Sequence, residues 1–108
     1  MKFEERLAQA VRSVIPDAEP NNYEGTARIY ATWNYNELAK LFAEGRPHAV
    51  QYIVQVHVYL PKKHPWADIK KQMCQALFKL KGTWPDIVDA SDKSGEHLVF
   101  EFDAMEVL

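Results

Sequence analysis

The 108-residue chain has one cysteine, four glycines and no long apolar run. The lone Cys74 excludes an internal disulfide framework and the paired-thiol zinc motifs, and it suits a reducing compartment. With so few glycines, the chain has no phosphate-cradling loop. We expect neither a secretory signal nor a membrane span, and therefore folding in a cytoplasm.

The chain also lacks a strong excess of either charge. Its net charge is -2, with lysines and arginines interspersed among the acids. Without a basic field to bind phosphates, we expect no direct nucleic-acid recognition. A composition of 47% apolar residues is typical of one globular domain, here spanning residues 1–108.

Helical periodicity predicts two amphipathic helices. The first covers residues 2–15 and ends at Pro16, and the second covers 65–81 and ends before Gly82. Residues 16–25 combine two prolines, two asparagines and a glycine, which predicts an exposed loop.

Alternation of apolar and polar residues predicts the strands. Residues 27–35 and 48–61 alternate, and the second run places six apolar residues on one face. Residues 83–90 are predicted to form a short edge strand, because Pro85 has no N–H to donate to a neighbouring strand. A turn at 91–95 then leads into the closing strand.

The segment NELAKLFAEGRPH, residues 36–48, is harder to interpret. Leu38, Leu41 and Phe42 have helix-like spacing, yet only about two turns fit before Gly45. We interpret this segment as a short helix or a mobile arm. The element order α-β-β-α-β-β then predicts an α+β fold, a four-stranded, mostly antiparallel sheet with two helices packed on one face.

No catalytic constellation emerges from the sequence, and we expect no enzyme. The four histidines lack the i, i+4 helical spacing of a metal site, and the acids around 86–96 lack the order of a calcium loop. We therefore expect no cofactor and no metal. The alternative hypothesis is a small-ligand or metal-binding module of a cytoplasmic protein, in which His57, His97 and the acids converge on a pocket.

The sheet face away from the helices mixes apolar and polar residues, which suits contact with another subunit better than solvent or a core. Glu101 and Asp103 would set the orientation of that contact. Together with the 36–48 segment, this face supplies the predicted interface residues: Tyr30, Leu41, Phe42, Arg46, Ile53, Gln55, His57, Tyr59, Val99, Glu101 and Asp103.

Residues 46–107 contain a further set of short motifs in a fixed order. These are Gln55-Val56-His57 followed by Pro61, the ALF segment at 76–78, the TWP step at 83–85, and the hairpin from Asp89 to Glu101. In this order they resemble the tail-completion, or tail-terminator, proteins of the head-tail joining region of long-tailed bacteriophages and prophages.

The resemblance implies a non-enzymatic structural protein of the virion tail. Such a protein assembles into a homo-oligomeric ring, usually a hexamer, that caps the tail tube protein and faces the head-tail connector or stopper protein. It leaves open which face of the ring meets the tube.

Overall fold

A computed structural model describes residues 2–108 of the chain. Two helices, α1 (Phe3–Val14) and α2 (Ala67–Phe78), are combined with five strands. The strands are β1 (Ala18–Pro20), β2 (Tyr30–Ala43), β3 (Arg46–Leu60), β4 (Asp86–Asp89) and β5 (Glu96–Val107). The α+β class predicted from the sequence is confirmed.

The sheet has five strands in the order β1-β2-β3-β5-β4, so the four-stranded prediction was wrong in number. The additional strand is β1, which lies in the segment predicted as a loop and runs parallel to β2, pairing Ala18 with Ala31. The other pairs are antiparallel. The turn-forming residues around Pro16 and Pro20 gave no local signal for this strand, because it depends on hydrogen bonds to β2.

One hydrophobic core lies between the helices and one face of the sheet. Alternate residues of β3, from Tyr52 to Leu60, meet Leu98, Phe100 and Phe102 of β5 across the register. Leu7 of α1 packs into the same core, where the described core residues are contributed by both helices and by β1, β2, β3 and β5. The predicted placement of the helices on one face is correct.

Helix α1 is fixed to the sheet by polar and aromatic contacts as well as by burial. The Phe3 ring stacks on Tyr52 with centroids 3.9 Å apart. Arg6 donates to Glu106 of β5 at 2.8 Å, and the Tyr35 hydroxyl donates to Glu4 at 3.1 Å. These contacts orient the helix against one side of the sheet.

Gly82 joins the end of α2 to the sheet through a very close approach of two backbones. A Cβ at this position would lie 2.1 Å from the carbonyl oxygen of Asp103, so only glycine fits there. The next residue, Thr83, donates its amide to the same oxygen at 2.8 Å. This contact sets where the chain leaves α2 and enters β4.

Candidate interaction surface

The side of the sheet away from the helices, here called the open face, is formed by alternate residues of β2 to β5. Its members follow from the strand register. They are Tyr30, Thr32, Asn34, Asn36, Leu38, Gln51, Ile53, Gln55, His57, Tyr59, Asp86, Val88, His97, Val99, Glu101, Asp103 and Met105.

Two amide–carboxylate pairs cross the centre of the open face. Gln51 Nε2 donates to Asp103 Oδ2 at 3.2 Å, and Gln55 Nε2 donates to Glu101 Oε1 at 3.4 Å. An amide holds a carboxylate in place but leaves its negative charge uncompensated. The two predicted acids therefore each have a neutral amide, and no cation, as their hydrogen-bond partner across strands.

Beside these pairs, the open face contains a shallow cleft of about 280 Å³, here called the acidic cleft. Its lining includes Asp86, Glu101 and Asp103 together with Ile53 and Trp84, and within residues 2–108 it includes no lysine or arginine. Asp86 and Glu101 are direct cross-strand partners. Because like charges in that position repel, the cleft favours a cationic partner.

Exposed apolar residues adjoin the acidic cleft. Leu38 and Met105 flank Gln51 in one row of the register, and Ile53 lies in the next row. All three are exposed, Met105 to 50% of its surface. A partner covering this row would bury apolar area while its charged groups met the cleft.

Aromatic rings occupy the other end of the open face. Tyr23, Tyr30, Tyr59 and His97 stack in series with centroid distances of 4.6, 4.7 and 4.3 Å. His57 Nδ1 lies 2.9 Å from His97 Nε2, within hydrogen-bond distance. The two histidines meet diagonally because the register pairs His57 with Val99 and Tyr59 with His97.

Both histidines are harder to protonate than free imidazole. Burial lowers the pKa of His57 below 6.5 and His97 lowers it further, while Glu101 opposes the shift. Burial also lowers the pKa of His97, against the opposing pull of Asp92 and Asp89. A neutral pair can share one N–H between the rings, whereas protonation of both would break that bond.

Residues 36–48 do not form the predicted short helix. They complete a long hairpin in which β2 and β3 pair as far as Ala43 and Arg46. The turn residues Glu44 and Gly45 both have positive φ, 53° and 73°, as a two-residue hairpin turn requires. The helix prediction was wrong because pairing with β3 overrides the helical spacing of the leucines.

The end of this hairpin extends beyond the rest of the sheet, since the last partner of β3 on β5 is Val107, opposite Ala49. We call residues 40–48 the hairpin arm. Leu41 and Phe42 are exposed to 62% and 66% of their surface, and Arg46 is also exposed. Within residues 2–108, β2 after Trp33 has no strand partner on its outer edge.

The structure divides the predicted interface residues into two groups. Eight lie together on the open face: Tyr30, Ile53, Gln55, His57, Tyr59, Val99, Glu101 and Asp103. Leu41, Phe42 and Arg46 lie on the hairpin arm instead. Val99 is only 7% exposed and offers little surface to a partner.

Of the cleft residues named above, Trp84 and Asp86 were absent from the predicted set. The alternation of Asp86 with Val88 in the short edge strand was the signal for Asp86. Trp84 lies in the irregular step between α2 and β4, where its ring meets Phe78 edge-on at 5.2 Å, and no periodicity marks it as exposed.

The structure brings together two of the side chains that the metal-binding alternative requires. His57 and His97 meet, but no group of three or more histidine, cysteine or acidic side chains within residues 2–108 could hold a metal ion. The other histidines are separate: His48 contacts the Ala43 carbonyl, and His64 contacts that of Pro65.

Comparison with known proteins adds information about the fold alone. No protein-family model and no curated protein matches the sequence. Among the solved structures that match is one whose name conveys no function. It is similar with a TM-score of 0.63 and 16% identity, covering 98% of this chain and 90% of the other. The chain thus shares an α+β architecture with a distant structural neighbour.

No helix in the described part of the chain is long and apolar enough to cross a membrane.

Proposed function

We propose that this chain is a structural subunit of the tail of a long-tailed bacteriophage or prophage. Six copies form a ring that caps the tail tube and joins it to the head-side connector. The protein acts by shape and self-association and carries out no reaction.

The observation that carries this proposal is the open face. It combines uncompensated carboxylates at Glu101 and Asp103 with the exposed apolar residues Ile53 and Met105. Such a mixture is typical of a surface that meets another protein, since isolated monomers rarely group exposed apolar side chains in this way.

The hairpin arm supports the same proposal. Its tip exposes Leu41 and Phe42 on a two-stranded projection without support from β5. A closed ring needs two different patches on each subunit. The open face and the projecting arm are two distinct surfaces of one chain that can serve as such patches.

The motifs behind the sequence resemblance lie on neighbouring elements. Gln55-Val56-His57 is central in β3, the TWP step begins beside Asp103 of β5, and the hairpin from Asp89 to Glu101 pairs with β3 and β4. Their grouping in one half of the fold favours a common structural role.

Sedimentation velocity of the purified chain tests the proposal, over a range of concentrations and with isolated tail tubes. We expect particles of six times the 12.5-kDa chain, free or bound to tube ends. A chain that stays monomeric at every concentration and does not sediment with tubes would contradict the proposal.

A paired variant tests the contribution of the arm. Leu41→Ser/Phe42→Ser should weaken ring formation or tube binding with little loss of stability, because both side chains are exposed. The control is Gln9→Ser, an exposed position on α1 that should change neither property. Equal assembly by all three proteins would remove the arm from the contact.

The metal-binding alternative is favoured by one observation, the His57–His97 contact at 2.9 Å. Thermal unfolding with added Zn²⁺ separates the two functions. A site that binds only the folded state raises the midpoint, and His57→Gln would abolish that rise. We expect no rise for the tail subunit.

A further inference from the structure

The charges of this chain are segregated by segment, although its net charge is small. Residues 62–81 contain six lysines and one acid, a net charge of +5. Residues 82–108 contain seven acids and one lysine, a net charge of -6. The first block spans α2 and its flanks, and the second spans β4 and β5.

The lysines of the first block are exposed. Lys71, Gln75 and Phe78 follow at i, i+4 and i+7 along α2, with Lys79 beside them, so they share the outward side of the helix. We call Lys71, Phe78, Lys79 and Lys81 the lysine face. Its apolar centre is Phe78, which is 49% exposed.

The lysine face and the acidic cleft form no ion pair within residues 2–108 of one copy, although Glu106 of the second block pairs with Arg6. Between residues 2 and 108, the ion pairs are Arg6 with Glu106 and Arg12 with Glu19, and neither involves a residue of the lysine face. The acids Asp86 and Glu101 project from the open face, whereas α2 packs on the opposite side of the sheet. The two surfaces adjoin at the Phe78–Trp84 ring contact, but no ion pair joins the lysines of one to the acids of the other within residues 2–108.

We propose that the lysine face of one copy docks on the acidic cleft of a second copy. Lys71 and Lys79 would approach Asp86 and Glu101, and Phe78 would cover apolar surface near Ile53. The charges would orient the contact, and the apolar groups would add buried area.

This contact joins two different surfaces, so a pair of bound copies retains one free lysine face and one free acidic cleft. Repetition therefore produces a ring when the rotation between copies closes. The inference rests on the proposed function for the closure of a ring, but it identifies the surfaces that would meet there. It also assigns the second block of acids a role in assembly.

The experiment reverses each charged surface separately. Lys71→Glu/Lys79→Glu makes the lysine face acidic, and Asp86→Lys/Glu101→Lys makes the acidic cleft basic. Like charges would then face each other between copies, and we expect each variant alone to need at least about tenfold higher concentration to assemble. Lys2→Glu/Lys93→Glu is the control, since it changes net charge as much as the first variant but lies outside both surfaces.

Mixing the two reversed variants gives the decisive result. Each variant then meets the complementary surface of the other, so an equimolar mixture should assemble although neither component does. A chain carrying all four changes should also assemble alone. Circular dichroism and thermal midpoints of the separate variants check that both are folded.

Salt supplies a second readout. Because the charged groups are exposed, assembly of the unmodified chain should weaken between about 0.05 M and about 0.5 M NaCl, as the screening length shortens. Binding of the unmodified chain to a duplex DNA probe, lost in Lys71→Glu/Lys79→Glu while assembly persists, would assign the lysine face to a polyanion and overturn the proposal.

The outcomes separate this inference from the proposed function. Assembly of both reversed variants at the unmodified concentration, or failure of the mixture to recover, overturns the contact between these surfaces while the ring remains possible. Failure of the unmodified chain to assemble or to bind tubes contradicts the proposed function itself.

Discussion

The two faces of β3 differ in burial and in chemistry. On the helix side, Val54, Val56 and Val58 are fully buried in the core. On the other side, Gln55 and His57 remain partly exposed and form polar contacts with β5. One strand therefore stabilises the fold through one set of alternate residues and presents the other set, partly exposed, on the open face.

Substitutions on the two faces are expected to change two different free energies, that of unfolding and that of association. Removing buried apolar groups changes the free energy of unfolding, because water-excluded contacts are lost and a cavity remains. Changing exposed polar or apolar groups on the open face should leave that quantity nearly unchanged, and under the proposed function it should alter association instead. The comparison between the faces is therefore measurable residue by residue.

The largest effect is expected from Phe100→Ala on the helix side of β5. Phe100 is fully buried, so the substitution should cost about 3–5 kcal/mol of unfolding free energy in urea titrations. The matched change on the open face is Met105→Ala, which should cost below about 0.5 kcal/mol. Equal losses for the two variants would contradict the division between the faces.

A smaller effect is expected from Gly82→Ala, where the chain passes from α2 towards β4 beside Asp103. The new methyl group would overlap the Asp103 carbonyl and displace β5, with a cost of about 1–3 kcal/mol. Hydrogen exchange of the Thr83 amide should accelerate, because that amide bonds to the same carbonyl. In Gly45→Ala, where the strain is local to the arm, Thr83 exchange should stay unchanged.

A pH titration tests the histidine end of the open face. Well above pH 6.5, His57 and His97 are neutral in the folded and the unfolded chain, so they contribute no pH dependence. As the pH falls towards 6.5 and below it, the unfolded chain binds protons that the folded chain resists, because burial lowers both folded pKa values. Stability should therefore fall with decreasing pH.

The variant His57→Gln/His97→Gln should reduce this acid sensitivity in urea titrations between about pH 7.5 and about pH 5.5. His48→Gln is the control, since it lies on the hairpin arm and outside the pair. An unchanged slope in the double variant would exclude the pair as a source of the pH dependence.

The smallest effect is expected on the helix side, at the Arg6–Glu106 ion pair. Its side chains are 33% and 37% exposed, so solvent screens the 2.8 Å contact. A double-mutant cycle with Arg6→Met and Glu106→Gln should give a coupling of about 0.2–1 kcal/mol. A coupling above 2 kcal/mol would mean that this pair anchors α1 more strongly than packing does.

Much of the fold follows from local sequence patterns. The alternation from Val50 to Leu60 predicted β3 and both of its faces, and the helical stripe from Ile69 to Leu80 predicted α2. Those patterns suffice because each element buries one continuous set of apolar residues. The mixed side of the sheet was visible in the same alternation.

The hairpin arm and β1 could not be predicted in this way. Leu38, Leu41 and Phe42 have helical spacing among helix-forming residues, and only pairing with β3 makes them a strand. Glu44 is also an unusual residue at positive φ, so the turn lacks the usual Asn-Gly signal. Strand β1 exists only through its pairing with β2.

The sequence predicted the acids of the candidate surface but not which other residues the fold brings beside them. Glu101 and Asp103 followed from the alternation of β5, whereas Trp84 joins them through the irregular step after α2. The net charge is an average over the whole chain, so it does not show that the lysines and the acids lie in separate segments. Their separation from the acids becomes visible only when charge is counted by segment and the segments are placed on opposite sides of the sheet.

Oxidation of methionines tests most directly whether the open face is a docking surface. Met105 is half exposed on that face, while Met73 is fully buried in the core and serves as an internal reference. With dilute peroxide and peptide mass mapping, we expect Met105 to oxidise readily in the free chain and to be protected in the assembled or tube-bound particle. Equal oxidation of Met105 in both states, with Met73 protected throughout, would show that no partner covers the open face.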